Sequence, residues 1–513
     1  MGEEAMRRWC LALAGVVALL AAACGGGGSG SSSASPPHGN VLQVGAPREP
    51  TSLDPAASIA YTNDQYFALY DTLISTNPKT HQLEPGLATS WSFQGADRLT
   101  FRLNLRQGVK FQDGTVVDAS AVKTSLDHYR QLHIFTDLDA VGSVQAVSSN
   151  VVDIHLASPY SPLPYVLSYR AGMIVSPTAM QKYGNDFGTH PVGAGPFMFK
   201  SWQSGSQLDL VKFPGYWRSG QPKLNGITFK YITNPSSLAS AIQGKQVDVG
   251  GPVIYETTNL PALRSNSNLN VIVAKDFGGI AQVQMNATKE PFNNPLVRRA
   301  VNLSLNRSDI RKAAVGNEGL GVASQIVPPT SFAYSKDLKG YPYDPAQAKQ
   351  LLAQAGYPNG IKAQLCVGTT FPLNAPQVEK RDLAAAGIDV SIDVVQGNGC
   401  VAKLTAGTTS MVQLGYPGSP DPYTTYTGLV GPGNLSRGTY EGVSPLLEKA
   451  ARAYTQAEQK PVYDQLNRVV YEQAPLAPLY YLVDWIATSK SVTGVATDIQ
   501  GNMLLNNVSF SAV

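Results

Sequence analysis

The sequence predicts a large mixed α/β body placed behind an export signal. Three observations carry this reading: strand and helix signals alternate along most of the chain, the helices are short and capped, and an apolar leader ends in a cysteine followed by a stretch that cannot fold. At 513 residues the chain is roughly three ordinary domain lengths. Its 43% hydrophobic and 15% charged residues suit one large soluble body.

Arg7 and Arg8 precede an apolar block, residues 9–23, that is about 15 residues long, whereas a spanning helix needs roughly 20. The block therefore predicts a secretory signal, not an anchor helix. Ala22 and Ala23 directly before Cys24 resemble a bacterial lipobox, in which the cysteine is lipidated on its sulfur and becomes the mature N-terminus. Ala21 stands where leucine is usual, with Leu20 one place further out. The plainer alternative is an ordinary signal peptide with a chance cysteine. Residues 25–39 bury almost no apolar area and predict a flexible tether with a reach on the order of 20 Å. Residues 1–23 are thus read as the signal, and 24–39 as lipidated cysteine and tether. Cys24 would hold the protein at the extracytoplasmic face of the bacterial membrane.

In the body, "LTFRLNLRQGVKFQDG" places Leu99, Phe101, Leu103 and Leu105 on one face, a half-buried strand by its period of two. Gly108 and the Asp113-Gly114 pair mark turns. Asp118 then caps a helix whose apolar residues Val122, Leu126 and Tyr129 recur at helical spacing. Asn294 and Pro295 open another helix in "NNPLVRRAVNLSLNRSDI". In "YDPAQAKQLLAQAGYPNG", Asp344 is the N-cap and Pro345 the first helical residue; Ala348, Leu351, Leu352 and Ala355 form the buried stripe, and Gly356 is the stop.

Cys10 and Cys24 belong to the leader, which leaves Cys366 and Cys400 in the body. "IKAQLCV" reads as a strand, "NAPQVEKRDLAAAG" as a helix and "IDVSIDVVQGNGC" as a second strand with its exit turn. Such a unit brings both cysteines near the same strand ends. In an exported chain with no histidines clustered nearby, this favours a disulfide over a metal site.

Several function classes fall away. A net charge of +3 without a Lys/Arg block interleaved with aromatics argues against nucleic acid as a partner. Ser120 and Lys123 match the Ser-x-x-Lys spacing of penicillin-interacting enzymes, but the companion Lys-Thr-Gly is absent and the segment reads as the start of a capped helix. There is no Gly-x-Ser-x-Gly elbow, His-Glu-x-x-His zinc site or phosphate-binding glycine loop. His128 and His133 are five apart, off a common helical face for chelation. No catalytic residue, resident metal or cofactor is expected.

Five segments, "LATSWSF", "LTFRLNLRQGVKFQDGTVVDASAVKTSLDHYR", "VGAGPFMFKSWQSGSQLDLVKFPGYW", "MNATKEPFNNPLVRRAVNLSLNRSDIRKA" and "YPYDPAQAKQLLAQAGYPNG", look like the successive signature blocks of the extracellular solute-binding proteins of family 5. These are the peptide- and nickel-binding components of ABC importers. The blocks stand in family order over about residues 87–360, and "LGYPGSPDPY" is a weaker further match. The resemblance implies a periplasmic-binding-protein-like fold, two α/β lobes that close like a hinge over a ligand. It implies a discontinuous first lobe from residues 40–58, 190–282 and 486–513, a subdomain inserted at 59–189, and a second lobe at 283–485. It also explains a tether, which keeps a receptor near its permease.

In peptide-binding relatives the late block resembles Gly-Trp-x-x-Asp-Tyr-x-Asp-Pro, with the tryptophan lining the pocket and the first aspartate holding the ligand's amino terminus. Here Tyr416 falls at the tryptophan, Ser419 or a gap at the amine-binding aspartate, and Asp421-Pro422 at the final pair. A buried ammonium needs a formal negative partner, which serine cannot supply. Asp421 has two open roles: amine partner, or cap of the next turn. "SIAYTNDQYFALYDTL" resembles the early ligand-contacting segment and nominates Tyr61, Thr62, Asn63 and Tyr66, against the alternative that Tyr66 and Tyr70 form a buried helical stripe. The expectation is a monomeric receptor for a short peptide or peptide-like solute, delivered to a membrane permease. The alternatives are a non-peptide solute such as a nickel chelate or sugar, or an envelope sensor or partner-binding lipoprotein of the same fold.

Overall fold

The computed structural model describes residues 37–58, 63–274, 278–396, 399–419 and 421–511. The leader, with Cys24, and the nominated Tyr61 and Thr62 lie outside them. Among the described residues no helix is long and apolar enough to cross a membrane.

Three main sheets organise the chain. The first has seven strands in the order Leu269–Val273, Asp484–Ser489, Val249–Ile254, Val41–Ala46, Gly226–Tyr231, Gln207–Lys212 and Phe197–Gln203. Val41–Ala46 runs parallel to both its neighbours. The second sheet has five strands, in the order Ile388–Val395, Ile361–Gly368, Met411–Tyr416, Ile280–Met285 and Leu476–Tyr481. A four-stranded antiparallel sheet, Ala88–Gln94, Thr100–Leu105, Val151–Leu156 and Val141–Ser148, forms a separate layer.

The periodic readings correspond to observed elements. Phe101, Leu103 and Leu105 point into the core of the four-stranded layer, where they meet Val122 and Leu126 of the helix Ala119–Leu132. Asp118 accepts a hydrogen bond from the Ala121 amide at 2.9 Å, which satisfies an amide that the first helical turn leaves unpaired. Asp344 does the same for Gln347 at the head of Pro345–Gln354, although Leu351 is only half-buried on that helix.

Two expected boundaries, 282/283 and 485/486, fall inside the strands Ile280–Met285 and Asp484–Ser489. The limits of the insertion also differ from expectation. Helices Asn63–Leu69 and Pro177–Tyr183 pack Tyr66, Leu69 and Ala179 into the core of the seven-stranded sheet, so both ends of the 59–189 stretch belong to that core. The amphipathic faces decide this, because each helix buries its apolar side on the nearest large sheet.

The second sheet ends in a fully buried edge strand, Leu476–Tyr481. Carbonyls at this buried edge, left unpaired by the sheet, would be costly without partners. The helix Pro295–Ser304 and the residues after it supply them. Arg298 donates to the carbonyls of Gln473 and Ala474, Asn302 Nδ2 to Leu476 at 3.1 Å, and Arg307 Nε to Pro478 at 2.6 Å. Burial pulls the Arg307 guanidinium down to about 10, still charged at neutral pH.

Cys366 and Cys400 form a disulfide, with Cα atoms 5.5 Å apart. Strands Ile361–Gly368 and Ile388–Val395 are adjacent and parallel, but Cys400 lies in a helix, Gly399–Ala406, where an exit turn was expected. The bridge pins that helix to the sheet beside Leu404 and Val412. It closes a sequence separation of 34 residues. By the chain-entropy estimate a loop of this size contributes roughly 3–4 kcal/mol. The Cys366→Ala/Cys400→Ala double variant should therefore lose about that much stability in urea denaturation, while non-reduced peptide mapping of the parent protein should show the two cysteines on one linked peptide pair.

Candidate functional site

Two adjoining cavities, of about 280 and 480 Å³, lie where the second sheet's lobe faces the rest of the chain. They share Asp137, Tyr416 and Thr424. The smaller one is walled on one side by Asn63, Phe135, Tyr169 and Arg170, and on the other by the run from Tyr416 to Ser419. A third space of about 50 Å³ continues beneath it, with Pro417 and Gln500 common to both.

Arg170 is the prominent feature of the smaller cavity. It opens a short 3-10 turn, Arg170–Gly172, after the helix Leu163–Val166. The turn is tight enough that a Cβ on Gly172 would sit 1.8 Å from the Leu167 carbonyl oxygen, so the close approach demands glycine. Only 8% of Arg170 is exposed. Its Nε donates to Asn63 Oδ1 at 2.6 Å and its Nη1 donates to the Ser58 carbonyl. The guanidinium carbon lies 5.0 Å from the centre of the Tyr66 ring and 5.4 Å from that of Phe135. Stacking on aromatic faces and a fixed amide partner orient a planar cation that matches carboxylate geometry.

The opposite wall begins at the end of the strand Met411–Tyr416. Tyr416 lines both cavities and donates its hydroxyl to the Thr424 carbonyl at 3.2 Å. Ser419 lines the smaller cavity, and its Oγ accepts from the Asp421 amide at 3.3 Å. A Cβ on Gly418 would lie 2.4 Å from the Gly278 Cα, so this loop rests directly on a segment that passes between the two sheets.

Two nominated residues are placed elsewhere. Tyr66 is wholly buried and lines neither cavity; its hydroxyl donates to the Ser52 carbonyl at 2.7 Å, and it serves as the platform under Arg170. With Tyr70, also wholly buried, it forms the helical stripe that was the alternative reading. Asp421 is the N-cap of the helix Pro422–Val430, its Oδ1 accepting from the Tyr423 amide at 2.8 Å, and it too lines neither cavity. Asn63, Tyr416 and Ser419 do reach the cavity wall.

The sequence reading missed Arg170, Asp137, Tyr169 and Gln500, all cavity residues. Arg170 left a signal: it is the one Asp, Glu, Lys or Arg between Asp153 and Lys182, in a run otherwise rich in apolar residues, aromatics and proline. A lone charge in such a run must find partners or a ligand. Among the described residues there is no group of three or more His, Cys, Asp or Glu side chains that could hold an ion. His128 instead meets Asp54 at 2.7 Å.

Residues 82–437 match the family described as bacterial extracellular solute-binding proteins, family 5 Middle. The chain belongs to that family. It is 31% identical over 424 residues to the glutathione-binding protein GsiB of Salmonella paratyphi A, covering 78% of this chain and 80% of that protein. Two solved structures share the two-lobed periplasmic-binding-protein fold. The binding protein AgaA of A. tumefaciens R10 in complex with agropinic acid superposes with a TM-score of 0.81 at 24% identity, covering 92% of this chain and 99% of that one. The dipeptide-binding protein of Pseudoalteromonas sp. SM9913 in complex with Met-Leu gives 0.80 at 24% identity, covering 92% and 100%. Family 5 proteins are the extracytoplasmic solute-binding components of ABC importers rather than an enzyme family, and this chain is accordingly a solute receptor working with a permease.

Burial pushes the Asp421 carboxyl up from its ordinary 3.8 to about 6, against the opposing effect of the Tyr423 amide. Between these values the folded protein holds a proton that the unfolded chain has released, so stability falls as pH rises through the window from about 4 to about 6. The loss attributable to Asp421 is on the order of 3 kcal/mol, at about 1.4 kcal/mol per pKa unit. Asp421→Asn keeps an acceptor for the cap and removes the titration. Urea denaturation at about pH 4 and about pH 7 should therefore show a smaller drop for the variant than for the parent, by roughly that amount.

Proposed function

We propose that the chain captures a small carboxylate-bearing solute, a short peptide or peptide-like compound, by closing its lobes over it, and delivers that solute to a membrane permease. The observation that carries this reading is Arg170, a nearly buried guanidinium on the cavity wall, oriented by Asn63 and stacked between Tyr66 and Phe135. A cation so placed selects an anionic group on the ligand, and a guanidinium favours a carboxylate. The likeness to a glutathione-binding protein and to structures holding Met-Leu and agropinic acid supports the same class of ligand. Tyr416 and the Ser419 loop offer the facing lobe a neutral, aromatic and hydroxyl-bearing surface suited to variable side chains.

A thermal-shift screen tests the reading with glutathione and free dipeptides against their C-terminal amides and neutral sugars. Free carboxylates should raise the melting temperature, by mass action on the bound state. Arg170→Met should weaken the best ligand about 10- to 100-fold in calorimetry, the scale of a lost hydrogen-bonded charge contact. Amides binding as well as acids would remove the proposal.

We further propose that Cys24 is lipidated and anchors the mature protein outside the membrane, with residues 25–39 as its tether. This rests on the short apolar leader and the small residues before the cysteine. Cys24→Ser should move the protein from the detergent phase to the aqueous phase, or leave it unprocessed, in a phase-separation assay; unchanged partitioning would remove the anchor.

A further inference from the structure

A ligand with a free ammonium needs a counter-charge in the cleft, and the late block does not provide one there. Ser419 is neutral, and the Asp421 carboxylate is turned to its own helix. Asp137 has the chemistry that this block lacks. It sits in the loop between the helix Ala119–Leu132 and the strand Val141–Ser148, and it lines both cavities. In the smaller cavity, Asp137 and Arg170 are the charged side chains of the wall. Burial pushes the Asp137 carboxyl above its ordinary value, with the Asp139 charge adding to the rise and the Tyr129 hydroxyl and the Arg170 charge opposing it.

The carboxylate is also held in position. Tyr129 donates its hydroxyl to Asp137 Oδ2 at 2.8 Å, and the Tyr129 ring stacks on Phe135 with centroids 5.9 Å apart. Phe135 in turn lies under Arg170, so one aromatic pair braces both charges. Beyond Asp137, the larger cavity adds Asp139 and Glu448 against the single cation Arg452. The cleft therefore runs from a cationic end at Arg170 to an acidic end that begins at Asp137. A carboxylate is favoured at the first end and repelled from the second.

We infer that Asp137 is the residue that holds the ligand's ammonium, which makes the preferred solute a zwitterion with its carboxylate at Arg170 and its free amine at Asp137. This assignment rests on the carboxylate reading of Arg170 above.

Calorimetry with purified protein tests it, using Met-Leu and glutathione and their N-acetylated forms as probes, on the parent, Asp137→Asn and Arg170→Met. Asparagine retains an acceptor for the Tyr129 hydroxyl, so the loop keeps its brace. The parent should prefer the free over the acetylated form by about 30-fold or more, the scale of breaking a buried charge pair. Asp137→Asn should erase that preference by weakening the free form alone, and its unaltered binding of the acetylated form shows that the site is intact. Should Asp137→Asn keep the preference while Arg170→Met abolishes binding, the Asp137 assignment fails and the carboxylate reading stands. Equal binding of free and acetylated probes to the parent has the same consequence. If the parent binds neither probe in either form, both readings fall together.

Discussion

Two residues, Leu482 and Val483, separate a strand of one lobe from a strand of the other. The chain leaves the five-stranded sheet at Tyr481 and enters the seven-stranded sheet at Asp484. Both linking residues are buried, and the Leu482 amide donates to the Gly279 carbonyl at 2.8 Å, which ties this passage to the other one, between Val273 and Ile280. So short and hydrogen-bonded a link cannot let the lobes drift independently; it restricts them to rotation about the paired passages, the hinge class of domain motion. The cleft residues depend on this pivot. Gly418 rests on Gly278, and Leu482 shares the lowest cavity with Pro417 and Gln500, so rotation at the hinge is transmitted directly to the loop that carries Ser419.

A hinge is useful only if what it moves is stiff. The five-stranded lobe gains stiffness from the arginines that close its edge, because hydrogen bonds involving a charged group are worth about 1.5–3 kcal/mol each and the alternative is a buried, unpaired carbonyl. The disulfide fastens Gly399–Ala406 to the same sheet at its far side. The seven-stranded lobe keeps a different arrangement near the pivot. Asp64, Asp484 and Asp498 are all buried there, the first two under the pull of Arg48 and the third held by Asn502, the Gln500 amide and Tyr169; burial pushes Asp64 and Asp498 up to about 6 and Asp484 well above the usual carboxylate range. Asp484 is fully buried, and that burial disfavours its charged form.

Local elements were legible in the sequence because their causes are local. Asp118, Asn294 and Asp344 cap helices through amides two or three residues away, and the Phe101, Leu103, Leu105 alternation follows from the two-residue period of a strand. The candidate cavity was legible only where a family segment pointed to its wall, at Asn63, Tyr416 and Ser419. Tyr66 lines neither cavity because its ring lies under Arg170 instead, and a ring that supports a cation and a ring that faces a cavity have the same sequence signature. Asp421 matched a capping position and a binding position equally well, and only the direction of its carboxylate separates them. Arg170 and Asp137 come from segments far apart in the chain, and nothing in either segment announces that the fold brings them to one wall.

That wall also divides the work of recognition from the work of closure. Arg170, Asn63 and Asp137 all stand on the side of the cleft away from the five-stranded lobe, whereas Tyr416, Ser419 and Thr424 stand on that lobe. A ligand that met only the charged side would bind the open and closed forms alike, and equal affinity for two states shifts no population however tight it is. In the function proposed above, closure would be driven by interactions that form on the Tyr416 side, where Tyr416, Ser419 and Thr424 are neutral and Glu448 and Arg452 carry charge, and turning a 1:99 equilibrium into 99:1 needs about 5.5 kcal/mol from them. Neutral hydroxyl and aromatic surfaces can supply this from many small packing terms without demanding one side-chain chemistry. On that proposal the Arg170 and Asp137 wall would set which class of solute enters, and the Tyr416 wall would decide whether the lobes shut on it.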